Sequence, residues 1–147
     1  MFKKMKIFII VIILFNSFSF VMSEEDFFNE AKKMYDQKKF DEAKFLLQRN
    51  IVFNPKDAIS YLYLAKIFNF EENQKEEKKN LDTTLLLQPN NEEAMYMLME
   101  IELKKSNYSS VKKLQESFGI ICKDLCEKNK IINKSLKNIE PKNDSWQ

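Results

Sequence analysis

Apolar residues recur along most of this chain at the spacing of α-helices. In the segment "DAISYLYLAKIFNF" they fall at Tyr61, Leu64, Ala65 and Phe68, at intervals of three and one. This spacing places the side chains on one face of a helix, whereas a half-buried strand would alternate at every second position. Segments of the same kind follow one another over residues 24–121. The pattern predicts amphipathic helices rather than β-hairpins.

The short breaks between these segments reveal a repeat. A shift of 34 positions lays "NPKDAISYLYLAKIF" over "QPNNEEAMYMLMEIE" and matches Pro55 to Pro89 and Leu64 to Leu98. Proline ends a helix because it lacks an N–H and disfavours a helical residue before it. Asn91 is placed to cap the helix that follows. We therefore expect a two-helix unit copied three times, at residues 24–56, 57–90 and 91–121.

The repeat resembles that of tetratricopeptide repeat proteins, whose unit is a helix-turn-helix of about 34 residues. The resemblance rests on the period, the closing prolines and the small residues Ala31, Ala43 and Ala65, which let paired helices approach closely. The sequence departs from the family pattern at Lys38 and Glu72, where a turn glycine is usual. The resemblance implies an all-α, right-handed α-solenoid of about three repeats.

The C-terminal region is predicted to close this array. An array of repeats needs a lid with a polar outer face at each end. Residues 122–140 carry a broken apolar stripe on a charged background, which predicts a C-terminal capping helix. Residues 141–147 begin with a proline, continue as "KNDSWQ", and are predicted to be a disordered tail.

The first 23 residues have the layout of a secretory signal peptide. Three lysines precede an unbroken apolar run, "IFIIVIILF", and small residues follow near Ser23. The run is shorter than the ~20 residues that span a bilayer. We expect cleavage after Ser23 and export, into a bacterial periplasm given the Lys-, Asn-, Ile- and Phe-rich usage. The alternative is an uncleaved segment that anchors the protein in the inner membrane.

The charge balance depends on this segment. The full chain has 24 basic and 22 acidic residues, and removing Lys3, Lys4 and Lys6 leaves 21 basic against 22 acidic, so the formal charge changes from +2 to −1. A nearly neutral chain lacks the basic footprint of nucleic-acid binding. We expect a protein or peptide partner, no nucleic acid, and membrane contact only through an uncleaved N-terminal segment.

The residue inventory argues against catalysis. The chain has no histidine, which excludes Ser-His-Asp triads and histidine-ligated metal sites. It has a single glycine, which excludes a glycine-rich phosphate loop. The acidic pairs stand at helix starts or turns, where the helix dipole and solvation explain them. We expect no enzymatic activity, no metal and no cofactor.

Cys122 and Cys126 leave three interpretations open. Their spacing places them on one face of a helix, at the upper limit of disulfide reach. In an exported protein they can form a disulfide that fixes the junction between the third unit and the capping helix. They can also be two buried thiols, or a redox site that would make the protein a thiol/disulfide-linked module.

The family resemblance implies a groove lined by the first helix of each unit, which takes a peptide or helix of a partner. The side chains opposite the core are unusually aromatic, and such exposed patches commonly mark interaction sites. The pattern is not that of family members that clamp a C-terminal carboxylate. We expect a non-catalytic adaptor or scaffold, or, if anchored, an assembly factor of an envelope complex. The candidate groove residues are Phe28, Lys32, Tyr35, Leu62, Tyr63, Lys66, Phe70, Tyr96 and Met97.

Overall fold

The computed structural model describes residues 24–139, and the predicted signal peptide and C-terminal tail lie outside this range. The described residues form seven α-helices and no strand. No described helix has the length and apolar character that crossing a membrane requires. The helices are α1 (Glu24–Asp36), α2 (Phe40–Phe53), α3 (Ala58–Phe70), α4 (Gln74–Leu87), α5 (Glu92–Lys104), α6 (Tyr108–Ile121) and α7 (Cys126–Ile139).

The helices keep the predicted period of 34. The first helices of the three pairs begin at residues 24, 58 and 92, and the second helices begin at 40, 74 and 108. Within the described range the architecture is an all-α solenoid of helical repeats, as predicted. The N-cap predicted at Asn91 is also confirmed, because its side chain accepts the backbone N–H of Ala94 at 2.9 Å. Asp57, at the equivalent position one repeat earlier, accepts the N–H of Ile59 at 3.2 Å.

The prediction that the capping helix spans residues 122–140 is wrong at its start. Cys122 has an extended backbone with ψ 139°, which ends α6, and a short linker precedes the start of α7 at Cys126. Residue 126 lies 34 positions after the start of α5, so α7 has the register of a fourth first helix. It packs against α5 and α6.

Three buried clusters form the core, and each joins one repeat to the first helix that follows it. Ala31, Ala43 and Leu47 of the first pair pack with Leu64 and Ile67 of α3. The second cluster likewise joins α3 and α4 to α5, and the third joins α5 and α6 to α7. Each pair therefore leaves an apolar face open until the next first helix covers it.

The outer face of α7 is polar. One position of the first helix is fully buried in all three repeats, where it holds Ala31, Ala65 and Met99. In α7 the same position holds Asn133, which is exposed. Lys134, its neighbour in sequence, is also exposed. The apolar side of α7, with Ile132 and Leu136, faces the array instead. This arrangement is what a solubilising end cap requires.

Each of the three turns between paired helices contains a residue in the left-handed conformation. Lys38, Glu72 and Ser106 have φ angles of 61°, 57° and 56°, and they occupy the same position of successive repeats. The next residue in each turn donates its N–H back across the helix end, as Asn73 does to the carbonyl of Phe68 at 2.9 Å. This is the Schellman motif, in which glycine is the usual left-handed residue.

We expect Glu72→Gly to stabilise the folded chain by about 1 kcal/mol, because the left-handed conformation costs roughly 1–2 kcal/mol for a residue with a Cβ atom. The Glu72 side chain is exposed and has no hydrogen bond or ion pair with another described residue, so little is lost with it. Urea unfolding followed by circular dichroism measures the change. Glu72→Ala, which keeps the Cβ atom, is the control and should give no such gain. A glycine variant that unfolds at lower urea would contradict the argument.

Candidate functional site

Five aromatic side chains of the first two repeats form one connected group, here called the aromatic surface. Tyr63 meets Phe28 edge-on with ring centroids 5.6 Å apart and meets Tyr35 at 5.0 Å. Phe40, at the start of α2, lies 5.7 Å from Tyr35 and 4.5 Å from Phe70. The structure thus brings together four of the predicted groove residues and adds Phe40.

The aromatic surface is accessible along one side. Phe70 is 66% exposed, and the other four rings are partly exposed. Lys32 stands on α1 in the same register as Lys66 on α3, is exposed, and has no acceptor among the described residues. The rings pack edge-to-face around Tyr63 and at a tilt around Phe40. This packing restricts their orientations, which reduces the conformational entropy lost when a ligand covers them.

Lys66 is held within this site instead of projecting from it. Its Nζ lies 5.0 Å from the ring centroid of Tyr63 and 5.5 Å from that of Tyr35, and it forms an ion pair with Glu93 of α5 at 2.9 Å. Burial acts to lower the pKa of Lys66, but the hydrogen bond and charge of Glu93 outweigh it and raise the pKa. Glu93 therefore neutralises Lys66, whereas Lys32 offers a charge that no described residue neutralises.

The structure places Leu62 in the core and not in the groove, where it was predicted. Its side chain is only 4% exposed and packs in the second core cluster with Ala65 and Leu81. Met97 is partly buried against the same cluster. The helical register places these positions beside the groove face, but packing between neighbouring helices covers Leu62. Register alone could not show that.

Tyr96 is also placed differently from the prediction. Its hydroxyl donates to Glu100 at 2.6 Å, and Lys128 of α7 lies 4.8 Å from its ring centroid. Burial, together with Glu100, raises the pKa of Tyr96 to about 12. The prediction treated α7 only as a lid, so it did not show that this helix packs over Tyr96. The candidate binding surface is therefore concentrated on the first two repeats.

Phe40 is the residue that the sequence reasoning missed as part of this surface. It stands at the apolar position that opens a second helix, and by itself such a position predicts a core residue. Its ring instead bridges Tyr35 and Phe70. The signal available in the sequence was its place directly after the turn, which keeps it close to the end of α1.

The linker before α7 holds the two cysteines. Cys122 and Cys126 are joined as a disulfide in the structure, with Cα atoms 5.2 Å apart. They do not lie on one helix, as their spacing had suggested, because Cys122 ends α6 and Cys126 begins α7. The geometry agrees with the intramolecular pairing considered above. Formation of the bond in the cell stays a prediction.

Glu92 of α5 binds the backbone of this linker. Its carboxylate accepts the N–H groups of Lys123 and Leu125 at 2.8 Å each, and that of Asp124 at 3.1 Å. These three donors lie directly before α7. The residue before α7 is Leu125, at the position where Asp57 and Asn91 cap α3 and α5. The hydrogen bond from Leu125, followed by those from Lys123 and Asp124, lowers the pKa of Glu92.

The described residues include two buried carboxylates, Glu77 and Glu102, and no candidate metal centre. Among residues 24–139, no three His, Cys, Asp or Glu side chains come together as metal ligands. The buried carboxylates have structural partners. Glu77 accepts from Asn69 at 2.8 Å, and Glu102 accepts from Lys78 at 3.0 Å and Asn107 at 2.7 Å. Glu77 and Glu102 are therefore engaged in contacts within and between repeats.

Glu92→Gln should lower the urea midpoint near neutral pH, because a neutral amide is a weaker acceptor for three N–H donors. Since the folded state lowers the pKa of Glu92 below its ordinary 4.5, its stabilisation is present above that pH and is lost as pH falls through the lowered pKa. The difference between wild type and variant should therefore shrink on acidification. Urea titrations at several pH values measure it.

The matched control for this experiment is Glu116→Gln. Glu116 is exposed on α6 and has no hydrogen bond or ion pair with another described residue. This variant should follow the wild type at every pH. A Glu92→Gln midpoint that equals that of the control near neutral pH would show that the carboxylate does not stabilise the linker.

Comparisons with known proteins identify the fold. The chain matches no protein-family model and no curated protein. Among solved structures it is similar to the first tetratricopeptide-repeat domain of Spaghetti (RPAP3) bound to the HSP90 peptide SRMEEVD, with a TM-score of 0.69 and 13% identity over 79% of this chain and 94% of that one. It is also similar to the Sgt2 tetratricopeptide-repeat domain from Aspergillus fumigatus, with a TM-score of 0.66 and 14% identity over 84% and 88% of the two chains.

A third similar structure is the CopN–Scc3 complex, with a TM-score of 0.63 and 14% identity over 80% of this chain and 71% of that one. At these identities the likeness concerns the fold. The chain has the fold of solved tetratricopeptide-repeat domains, as the sequence resemblance implied.

Proposed function

We propose that this protein is a non-catalytic adaptor that binds a peptide or helix of a partner protein on the aromatic surface. The observation that carries the proposal is the connected group of five rings, with Phe70 66% exposed at its edge. Partly exposed aromatic rings are the usual anchors of protein interfaces, because each buries a large area with little loss of side-chain freedom.

The charges around the aromatic surface favour a mixed ligand. Glu93 already neutralises Lys66, whereas Lys32 has no acceptor among the described residues. A partner segment with apolar side chains for the rings and one carboxylate for Lys32 would complement the site. A similar fold binds a peptide in the RPAP3 structure, which supports peptide binding as the mode of recognition here.

We further propose that the protein acts outside the cytoplasm, in the cell envelope of a bacterium. The support is the sequence of residues 1–23, which has the order of charged, apolar and small residues found in signal peptides. In the alternative, the same segment stays attached and the protein is an inner-membrane-anchored assembly factor. The proposed binding role of the aromatic surface is the same for the exported and the anchored protein.

The double variant Lys32→Glu with Phe70→Ala should abolish partner capture without unfolding the chain, because both side chains are exposed. The tagged protein is captured from extracts of its own cells and the retained proteins are identified by mass spectrometry. The expected result is at least one protein that the wild type retains and the double variant loses by about tenfold or more, which corresponds to about 1.4 kcal/mol of binding energy.

The control for this capture is Lys75→Glu with Leu86→Ala on α4. It changes the same charge and a similarly exposed apolar side chain, since Leu86 is 80% exposed, but neither side chain contacts a ring of the aromatic surface. It should retain the same partner as the wild type. If the two double variants retain identical sets of proteins, the aromatic surface is not the binding site.

N-terminal sequencing of the protein from its own cells decides between export and anchoring. We expect Glu24 as the first residue, because the apolar run is too short to span a bilayer comfortably. An intact N-terminus that includes the segment from Ile7 to Phe15 would establish the anchored form. Fractionation of the same cells shows whether the protein is released with the soluble envelope proteins.

A further inference from the structure

The third linker of the array is built differently from the first two. At the first two, proline is the second residue, Pro55 or Pro89, and a capping side chain is the fourth. In the third linker these positions hold Lys123 and Leu125. The third linker therefore lacks both the fixed φ angle of proline and a side-chain N-cap.

Its backbone hydrogen bonding also differs. Asp57 donates its N–H to the carbonyl of Asn54, and Asn91 donates to that of Gln88, both at 3.1 Å, so each of these linkers closes on itself. The equivalent N–H, that of Leu125, goes instead to Glu92, outside the linker. The local bond that closes the first two linkers is replaced in the third by an anchor on α5.

The disulfide takes the place of these missing elements. Cys122 and Cys126 occupy the first residue of the linker and the first residue of α7, the positions of Asn54 and Ala58 in the first linker. A covalent bond between these two positions restricts the linker in the way that proline and the closing turn bond do elsewhere. It also restricts the angle at which α7 leaves α6.

α7 is less well supported than the other first helices. Each of the others packs against a second helix of its own repeat, whereas among the described residues α7 has extensive contacts only with the preceding helices α5 and α6. Ile132 and Leu136 supply its buried apolar side chains. Such a helix, held by a few side chains and its linker, belongs to the low-stability end of a repeat array.

We propose that the Cys122–Cys126 disulfide is a redox-controlled latch that keeps α7 docked on the end of the array. This inference goes beyond partner binding on the aromatic surface and does not depend on it. With the bond intact, α7 covers the apolar face formed by Met95, Met99, Val111 and Phe118. With the bond reduced, the linker gains freedom, α7 undocks more often, and that face becomes accessible.

The switching step is a thiol–disulfide exchange with a dithiol reductant. One thiolate of the reductant attacks a cysteine sulfur, which breaks the Cys122–Cys126 bond and forms a mixed disulfide. The second thiol of the reductant displaces that cysteine and closes the reductant's own disulfide. Two electrons and two protons pass to the protein, which is left with two thiols.

Amide hydrogen exchange of the full chain, measured by mass spectrometry with and without dithiothreitol, tests the latch. Thiol alkylation of parallel samples establishes the redox state. We expect reduction to raise exchange rates across residues 123–139 by about tenfold or more while residues 58–87 keep theirs, because local opening of a repeat array is confined to the affected end. The internal segment is thus the control in the same sample.

Cys122→Ser with Cys126→Ser provides a second, independent readout. This variant should show the fast exchange of α7 without reductant and no further change when dithiothreitol is added. Unchanged exchange in residues 123–139 after complete reduction would overturn the proposal. An equal rise across the whole chain would overturn it too, because the bond would then support global folding and not one helix.

Discussion

The structure depends on one constraint: a pair of helices cannot bury its own apolar face. Each of the three core clusters spans a repeat and the first helix after it, so the stability of every pair is shared with its neighbour. The last helix of the array must then pack against the apolar face of the preceding pair and expose no apolar face of its own. α7 does this with Ile132 and Leu136 on one side and Asn133 and Lys134 on the other.

This ending determines where a ligand can bind. Because α7 packs on α5, Tyr96 lies beneath Lys128 and is engaged by Glu100, and the third repeat loses its aromatic contribution to the surface. In the first two repeats the lysine beside Tyr63 and Tyr35 is Lys66 of the same site, no capping helix packs there among the described residues, and Phe70 is 66% exposed. The requirement for a cap at one end of the array thus concentrates the candidate binding surface at the other.

An ion pair between repeats changes the charge that the aromatic surface offers to a partner. Glu93 belongs to the third repeat but neutralises Lys66 of the second, so the charge offered to a partner depends on packing between repeats. Glu92, one residue earlier, binds the linker before α7. Two adjacent carboxylates at the start of α5 therefore serve the two ends of the molecule, one facing the aromatic surface and one facing the cap.

The sequence by itself determined the helices, their period of 34, the cap at Asn91 and the pairing of helices through small residues, because these depend on local backbone preferences and on which residues share a helical face. Tertiary packing alone decided that Leu62 is buried, that Lys66 is neutralised and that Phe40 joins the aromatic surface. It also decided that Cys122 and Cys126 belong to different helix ends. These outcomes depend on side chains from other helices, or on where a helix stops, and helical periodicity reports neither.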